Sequence, residues 1–375
     1  MKKDPKNEEE DSVAFVLFNV KGKDLLAIDQ INDFADERNP EAAKKDTFTK
    51  YEKLGLAPEP FKNVHYYYPY SIPKTRHWNT YMTPEEVEDN IKKKKAKKFK
   101  YIYKYDKDNL DLMFANIDDS TQTMEAIISY IMSGQGDFNQ VSDWQGFLEA
   151  VKKKCSTENA GKDKEIPVAS WRKFYRIINK SITDNKIFAR DVREDDGETR
   201  IGDALKYIKK NEVHVIDIAK LSEDKQAYVF GDAIRTIYDL QLGQYAGEEG
   251  VNPPSRIVIF IDEFNKYASK ETPKNSPILR QVLDVAERGR SLGVMLFAAE
   301  QFRSAIHDRV TGNCSTHAYG RTNSIEVTKS DYKSIPSVYK TMMTRLKQGE
   351  YIIQNPVFRS LLSIKFPKPI YKQFK

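Results

Sequence analysis

Ile257-Val-Ile-Phe-Ile261 is a short run of β-branched and aromatic residues that ends in Asp262-Glu263. Such a run predicts a strand buried on both faces, as in a parallel sheet. Strands of this kind open at their carboxyl ends into the crevice where α/β sheets bind ligands. An aspartate there can hold Mg²⁺, usually through water. A glutamate beside it can orient the water that attacks the γ-phosphate of a nucleoside triphosphate. The same letters also describe an ordinary apolar strand ending in two solvated acids, so the pair alone does not decide.

The surroundings narrow the choice. Glu287-Arg288-Gly289-Arg290-Ser-Leu-Gly293 follows, then a second buried run, Val294-Met-Leu-Phe-Ala298, and then Ala299-Glu300-Gln301. A polar residue past the strand beside the acidic pair can sense the γ-phosphate, and the Gln301 amide can both donate and accept. Val310-Thr-Gly-Asn313 and Thr316-His-Ala-Tyr-Gly-Arg321 come next. In this order, a Walker B Asp-Glu, a Gly-Arg-x-x-Gly turn, a strand ending in Gln, an Asn and a strand ending in Arg resemble the HerA-like branch of the HerA/FtsK ATPases. Val16-Leu-Phe-Asn-Val-Lys-Gly-Lys-Asp24 is similar to the strand that follows the P-loop helix in that family, and Val215-Ile-Asp-Ile-Ala219 to its next strand. Gly349-Glu-Tyr-Ile-Ile and Phe366-Pro-Lys-Pro369 match its C-terminal pattern. The resemblance covers residues 13–30 and 212–370.

The resemblance implies a RecA-like, doubly wound, mostly parallel sheet with a mostly helical insertion. It divides the chain into a first part of the core at 1–34, an insertion at 35–211, and the rest of the core at 212–375. It implies ATP and Mg²⁺ as cofactors, with Asp262 on the metal and Glu263 and Gln301 on the water and γ-phosphate. Lys21 and Asp24 would stand on the nucleotide side. Hexameric motors complete each site with an arginine from the neighbouring subunit; Arg288, Arg290 and Arg321 are the candidates. Arg288 and Arg290 read equally as a basic helix C-terminus favoured by the macrodipole, and Arg321 as a surface arginine at a strand end. The implied function is an ATP-driven DNA translocase or helicase, a homo-hexamer working with a nuclease or other effector, in anti-phage defence or DNA end processing. The alternatives are a catalytically inactive ring or assembly module and a secretion or conjugation ATPase.

Two departures qualify this. Asn19 stands where the family commonly has Asp, so that carboxylate's role is lost or passes to Asp24. No Gly-x-x-x-x-Gly-Lys-Ser/Thr occurs; Ser156-Thr-Glu-Asn-Ala-Gly161-Lys162-Asp163 lacks the first Gly, the final hydroxyl and a preceding strand, and reads as a loop. The P-loop is expected upstream of the strand at 13–20 or to have been lost, with the first favoured because the downstream residues are retained. The chain as given is expected not to hydrolyse ATP.

The elements that must position these residues are legible as periodicity. Val13-Ala-Phe-Val-Leu-Phe18 and Val213-His-Val-Ile-Asp-Ile218 read as buried strands, and Val64-His-Tyr-Tyr-Tyr-Pro69 as one ended by a proline. Val229, Phe230, Ala233, Ile234, Ile237 and Tyr238 share one helix face, as do Ile278, Leu279, Val282, Leu283 and Ala286. Met124, Ile127, Ile128, Ile131 and Met132 mark a helix, with similar patterns near 143–154 and 170–182. Strands alternating with helices predict a parallel, doubly wound sheet. Residues 350–366 read as a β-hairpin.

Composition sets the outer bounds. The chain has 375 residues with 39% hydrophobic content, ordinary for a globular protein. Its charge of +6, from 61 basic and 55 acidic residues, permits nucleic-acid binding without arguing for it. No apolar stretch of about 18 residues encodes a membrane span. Residues 1–11 are charged and lack the apolar core of a secretory signal. Two cysteines, Cys155 and Cys314, without metal-type spacing fit a reducing cytoplasm. The five histidines show no metal-ligand spacing. The run at 92–100, almost all lysine, either lines a DNA path or is a solvated basic segment. Tyr66-Tyr-Tyr68 reads as packing rather than base stacking.

Overall fold

The computed structural model describes residues 12–156 and 166–374. The loop expected around Gly161 falls largely outside them. Twelve strands can be followed: β1 (Val13–Asn19), β2 (Val64–Pro69), β3 (Ala96–Phe99), β4 (Tyr101–Ile102), β5 (Phe188–Ala189), β6 (Glu198–Thr199), β7 (Val213–Asp217), β8 (Arg256–Ile261), β9 (Val294–Ala298), β10 (His317–Tyr319), β11 (Glu350–Gln354) and β12 (Leu362–Lys365). Seven form a central sheet in the order β6-β3-β2-β7-β1-β8-β9. Every neighbouring pair in it is parallel. The fold is therefore α/β with a doubly wound parallel sheet. β10, β11 and β12 form a small antiparallel sheet that contains the expected hairpin.

The first face of the sheet, and the second over β2, β3 and β7, are covered by elements that the apolar periodicity requires. Ala14, Val16 and Phe18 of β1, Ile257, Ile259 and Ile261 of β8, and Val294 of β9 share one core with helices Glu223–Gln241 and Pro277–Leu292. That core also takes in helices Thr123–Met132, Trp144–Lys154 and Val168–Thr183. On the other face, Val64 and Tyr66 of β2 and Val213 and Val215 of β7 pack with Leu26, Ile28 and Val87, the last from helix Pro84–Lys92.

The segment 35–211 is rich in helix and also supplies β2, β3 and β6 to the central sheet. Its lysine run is largely exposed and partly paired. Lys93 pairs with Asp89, Lys95 with Asp29, and Lys98 with Glu88. β3 runs through the middle of it, and Lys100 is buried against Glu198 at 2.6 Å. Tyr66, Tyr67 and Tyr68 are buried in the sheet, as expected of packing residues.

Three of the crossovers share one hand. The connections β7 to β8 and β8 to β9 step across the sheet in one direction, and their helices lie on the first face. The connection β2 to β3 steps the other way, and helix Pro84–Lys92 lies on the second face. This is the pattern that right-handed parallel crossovers impose.

Candidate nucleotide site

β1, β7 and β8 lie side by side and end at the same edge of the sheet, in Asn19, Asp217 and, one residue past β8, Asp262. Parallel pairing makes this juxtaposition unavoidable once the three apolar runs become adjacent strands. Asn19 is fully buried. Its amide nitrogen donates to Asp217 Oδ1 at 2.8 Å and to the Gly22 carbonyl at 3.0 Å, and its oxygen accepts from the Leu25 N–H at 3.1 Å. Those bonds fold residues 19–25 into a tight turn, in which Gly22 takes φ +46°, a conformation that costs glycine little. Asp217 is held in turn by the Thr80 hydroxyl at 2.6 Å.

The turn presents Lys21 to the acidic pair. Lys21 Nζ lies 3.3 Å from Asp262 Oδ2 and 3.0 Å from Glu263 Oε1. Lys266 Nζ meets the other Glu263 oxygen at 2.6 Å. Glu263 has φ +53°, and its N–H donates to Asp262 Oδ1 at 2.8 Å. A non-glycine residue in this region costs about 1–3 kcal/mol and persists where surrounding structure over-determines it, often at functional sites. Burial pulls the Lys21 ammonium down, but Glu263 and Asp262 outweigh it and hold it above its usual range. The Lys266 contact, joined by Lys21, holds the Glu263 carboxyl below its usual range despite burial. Burial, with the Asp262 charge, raises the Asp24 carboxyl against the pull of Lys21. Lys21, Asp24 and Asp262 line a cleft of about 340 Å³ with Phe18, Phe260 and Phe374.

These oxygens suit a hard cation. Mg²⁺ is bound through one or two carboxylates, waters and substrate phosphates. Asp262, half-exposed at a strand end, fits that demand, and Mg²⁺ there would polarise phosphate oxygens. Lys21 now neutralises the carboxylate that such an ion would use. Glu263, free of the metal, could accept a proton from or orient a water.

Gln301 follows β9, the neighbour of β8, at this same edge; it is exposed. Glu300 fixes the loop that carries it, accepting from the N–H groups of Gln301 at 2.6 Å and of Phe302 at 3.3 Å. Its second oxygen accepts from Asn265 N–H at 2.8 Å, tying this loop to the one after β8. Arg288 and Arg290 lie elsewhere. Helix Pro277–Leu292 runs back from the carboxyl end of β8 to the start of β9, so its last turn, with both exposed arginines, sits at the amino edge. The five residues of β9 separate the two edges by roughly 16 Å. Gly293 closes that helix at φ +75°, with the Ser255 carbonyl where a Cβ would be, so the glycine in the Gly-Arg-x-x-Gly turn has a packing reason. Arg321 is exposed just past β10, in the small sheet.

Sequence reasoning missed Lys266, although its spacing of three from Glu263 was a usable signal. It also missed Glu300 and Thr80, whose roles depend on loop geometry that no spacing reports.

No protein-family model matches the chain, and no curated protein does. Solved structures similar to this chain include the bacterial conjugative coupling protein TrwBdeltaN70 in its unbound monoclinic form, at 8% identity and TM-score 0.47, covering 96% of this chain and 90% of that one. The plasmid coupling protein TrwB in complex with ADP and Mg²⁺ gives 10% identity and TM-score 0.45, covering 97% and 88%. The genome packaging NTPase B204 from Sulfolobus turreted icosahedral virus 2 with ATP-gammaS gives 17% identity and TM-score 0.30, covering 44% and 71%. Among the described residues, no helix is long and apolar enough to cross a membrane.

Proposed function

We propose that this chain carries the metal- and water-handling half of the nucleotide site of a HerA/FtsK-type DNA translocase, and that a strand–loop–helix unit outside these 375 residues supplies the phosphate cradle. The observation that carries the reading is the cluster at the carboxyl end of β8: Asp262 and a strained Glu263, both met by Lys21 from the turn after β1. The motor would be a homo-hexamer acting on DNA with a nuclease or defence effector. ATP would lie between subunits, with Arg288, Arg290 and Arg321 the candidates to act in trans.

The sheet itself supports a missing unit. Parallel sheets are normally covered on both faces. Here Phe15 and Leu17 of β1, Phe260 of β8 and Met295 of β9 are only half-buried, and Phe297 is 59% exposed. Register places them in one contiguous patch on the second face. β9 is also an unpaired edge. A strand added beside β9 and connected to β1 would step in the same direction as β2 to β3, so a right-handed crossover puts its helix on that open patch. A strand added at the β6 edge would send its helix to the face already filled.

The test is the coding sequence ahead of Met1. The reading expects a strand and Gly-x-x-x-x-Gly-Lys-Ser/Thr there, and expects the extended protein to hydrolyse MgATP with loss on Glu263→Gln. An extended protein that binds MgATP no better than these residues alone would favour the inactive ring module.

A further inference from the structure

His65 on β2 and His214 on β7 are register partners on adjacent parallel strands, so both imidazoles leave the same face, with ring centroids 5.2 Å apart. Glu212, just before β7, reaches both. Its Oε1 lies 3.7 Å from His65 Nε2, and its Oε2 lies 3.1 Å from His214 Nε2. One donor atom from each residue falls within 4.8 Å of the others. A His–Glu hydrogen bond accounts for one of these contacts. It does not account for a second imidazole brought to the same carboxylate.

Two neutral imidazoles and a carboxylate form a donor set that zinc takes in sites with an open position. Zn–N and Zn–O distances of about 2.0–2.1 Å put tetrahedral donors about 3.3 Å apart. The present spacings need only a modest closure, and His65, 39% exposed in its side chain, can supply it. The supporting shell is present. Tyr67 Oη is 3.0 Å from His214 Nδ1 and can accept a hydrogen bond from its N–H, leaving Nε2 for a metal. The Lys209 N–H donates to Glu212 Oε2 at 2.8 Å, leaving Oε1 to ligate.

We propose that His65, Glu212 and His214 bind one divalent transition-metal ion of the zinc class, with water in the fourth position. The ion sits at the amino edge of the sheet, opposite Asp262, and clamps β2 to β7. It is independent of the nucleotide reading.

The test uses the purified chain, stripped with chelator and titrated with Co²⁺. One equivalent should produce the visible absorption of four-coordinate Co²⁺, and Zn²⁺ should displace it. Zn²⁺ should also raise the unfolding midpoint. His65→Ala removes a ligand from a partly exposed position, so it should keep the metal-free midpoint and circular dichroism of the parent. It should weaken Co²⁺ binding at least about ten-fold, as even outer-partner losses do. Glu212→Gln should weaken it likewise. A wild-type chain with no stoichiometric Co²⁺ absorption, or a folded His65→Ala that retains it undiminished, overturns the proposal.

Discussion

Replacing Asp217 by Asn should change how stability depends on pH. Asp217 is fully buried at the end of β7, bonded to Asn19 and Thr80, and burial pushes its carboxyl up to about 6. In the unfolded chain an aspartate titrates near 3.9 (about two pK units lower), and at about 1.36 kcal/mol per unit the difference is worth up to about 3 kcal/mol. The sign follows from linkage. The folded state holds the proton more tightly, so this group's contribution is complete below about pH 4 and is lost as pH rises through about 6. Asn carries no such titration, and its amide can donate to Thr80 while its oxygen keeps the Asn19 bond. Chemical denaturation of both proteins from pH 4 to 8 isolates the contribution of Asp217, because other groups, Asp232 among them, titrate in both. The stability of Asp217→Asn relative to wild type should rise by about 2–3 kcal/mol between pH 4 and pH 8. A difference that stays flat across this range would refute the burial argument.

Three further outcomes are expected. Lys100→Met leaves Glu198 buried without its cation, so it should cost about 3–5 kcal/mol in denaturant unfolding, and adding Glu198→Gln should recover part of the loss. Glu263→Gly should be more stable than Glu263→Ala by about 1–2 kcal/mol, since both lose the carboxylate but only glycine tolerates φ > 0; equal thermal midpoints would contradict the strained backbone. Gly293→Ala places a Cβ 2.2 Å from the Ser255 carbonyl, and soluble yield and unfolding midpoint should both fall sharply.

Much of the architecture is legible in the sequence because buried parallel strands must be apolar runs. β1, β7, β8 and β9 announce themselves in this way, and the helices at 223–241 and 277–292 show their faces by periodicity. β3 does not. Ala96-Lys97-Lys98-Phe99 sits inside a lysine run, where paired lysines hide a strand whose ends are buried. β6 is Glu198-Thr199, and nothing in two polar residues signals a sheet. The acidic pair and its position past β8 follow from the motif. The proximity of Lys21 does not, because it depends on Asn19 folding the turn. Arg288 and Arg290 share a motif with the site residues, yet helix direction carries them to the far edge. The His65, Glu212 and His214 cluster is invisible to spacing, since strand pairing alone brings position 65 beside 214.

The most direct test of the central claim is steady-state hydrolysis of MgATP by purified residues 1–375, measured beside a folded Glu263→Gln control. The cradle of backbone N–H groups and the lysine that grips the β- and γ-phosphates are absent from the sequence. The account therefore predicts the same background rate for both proteins. Sustained turnover by the wild-type chain that Glu263→Gln abolishes would contradict it.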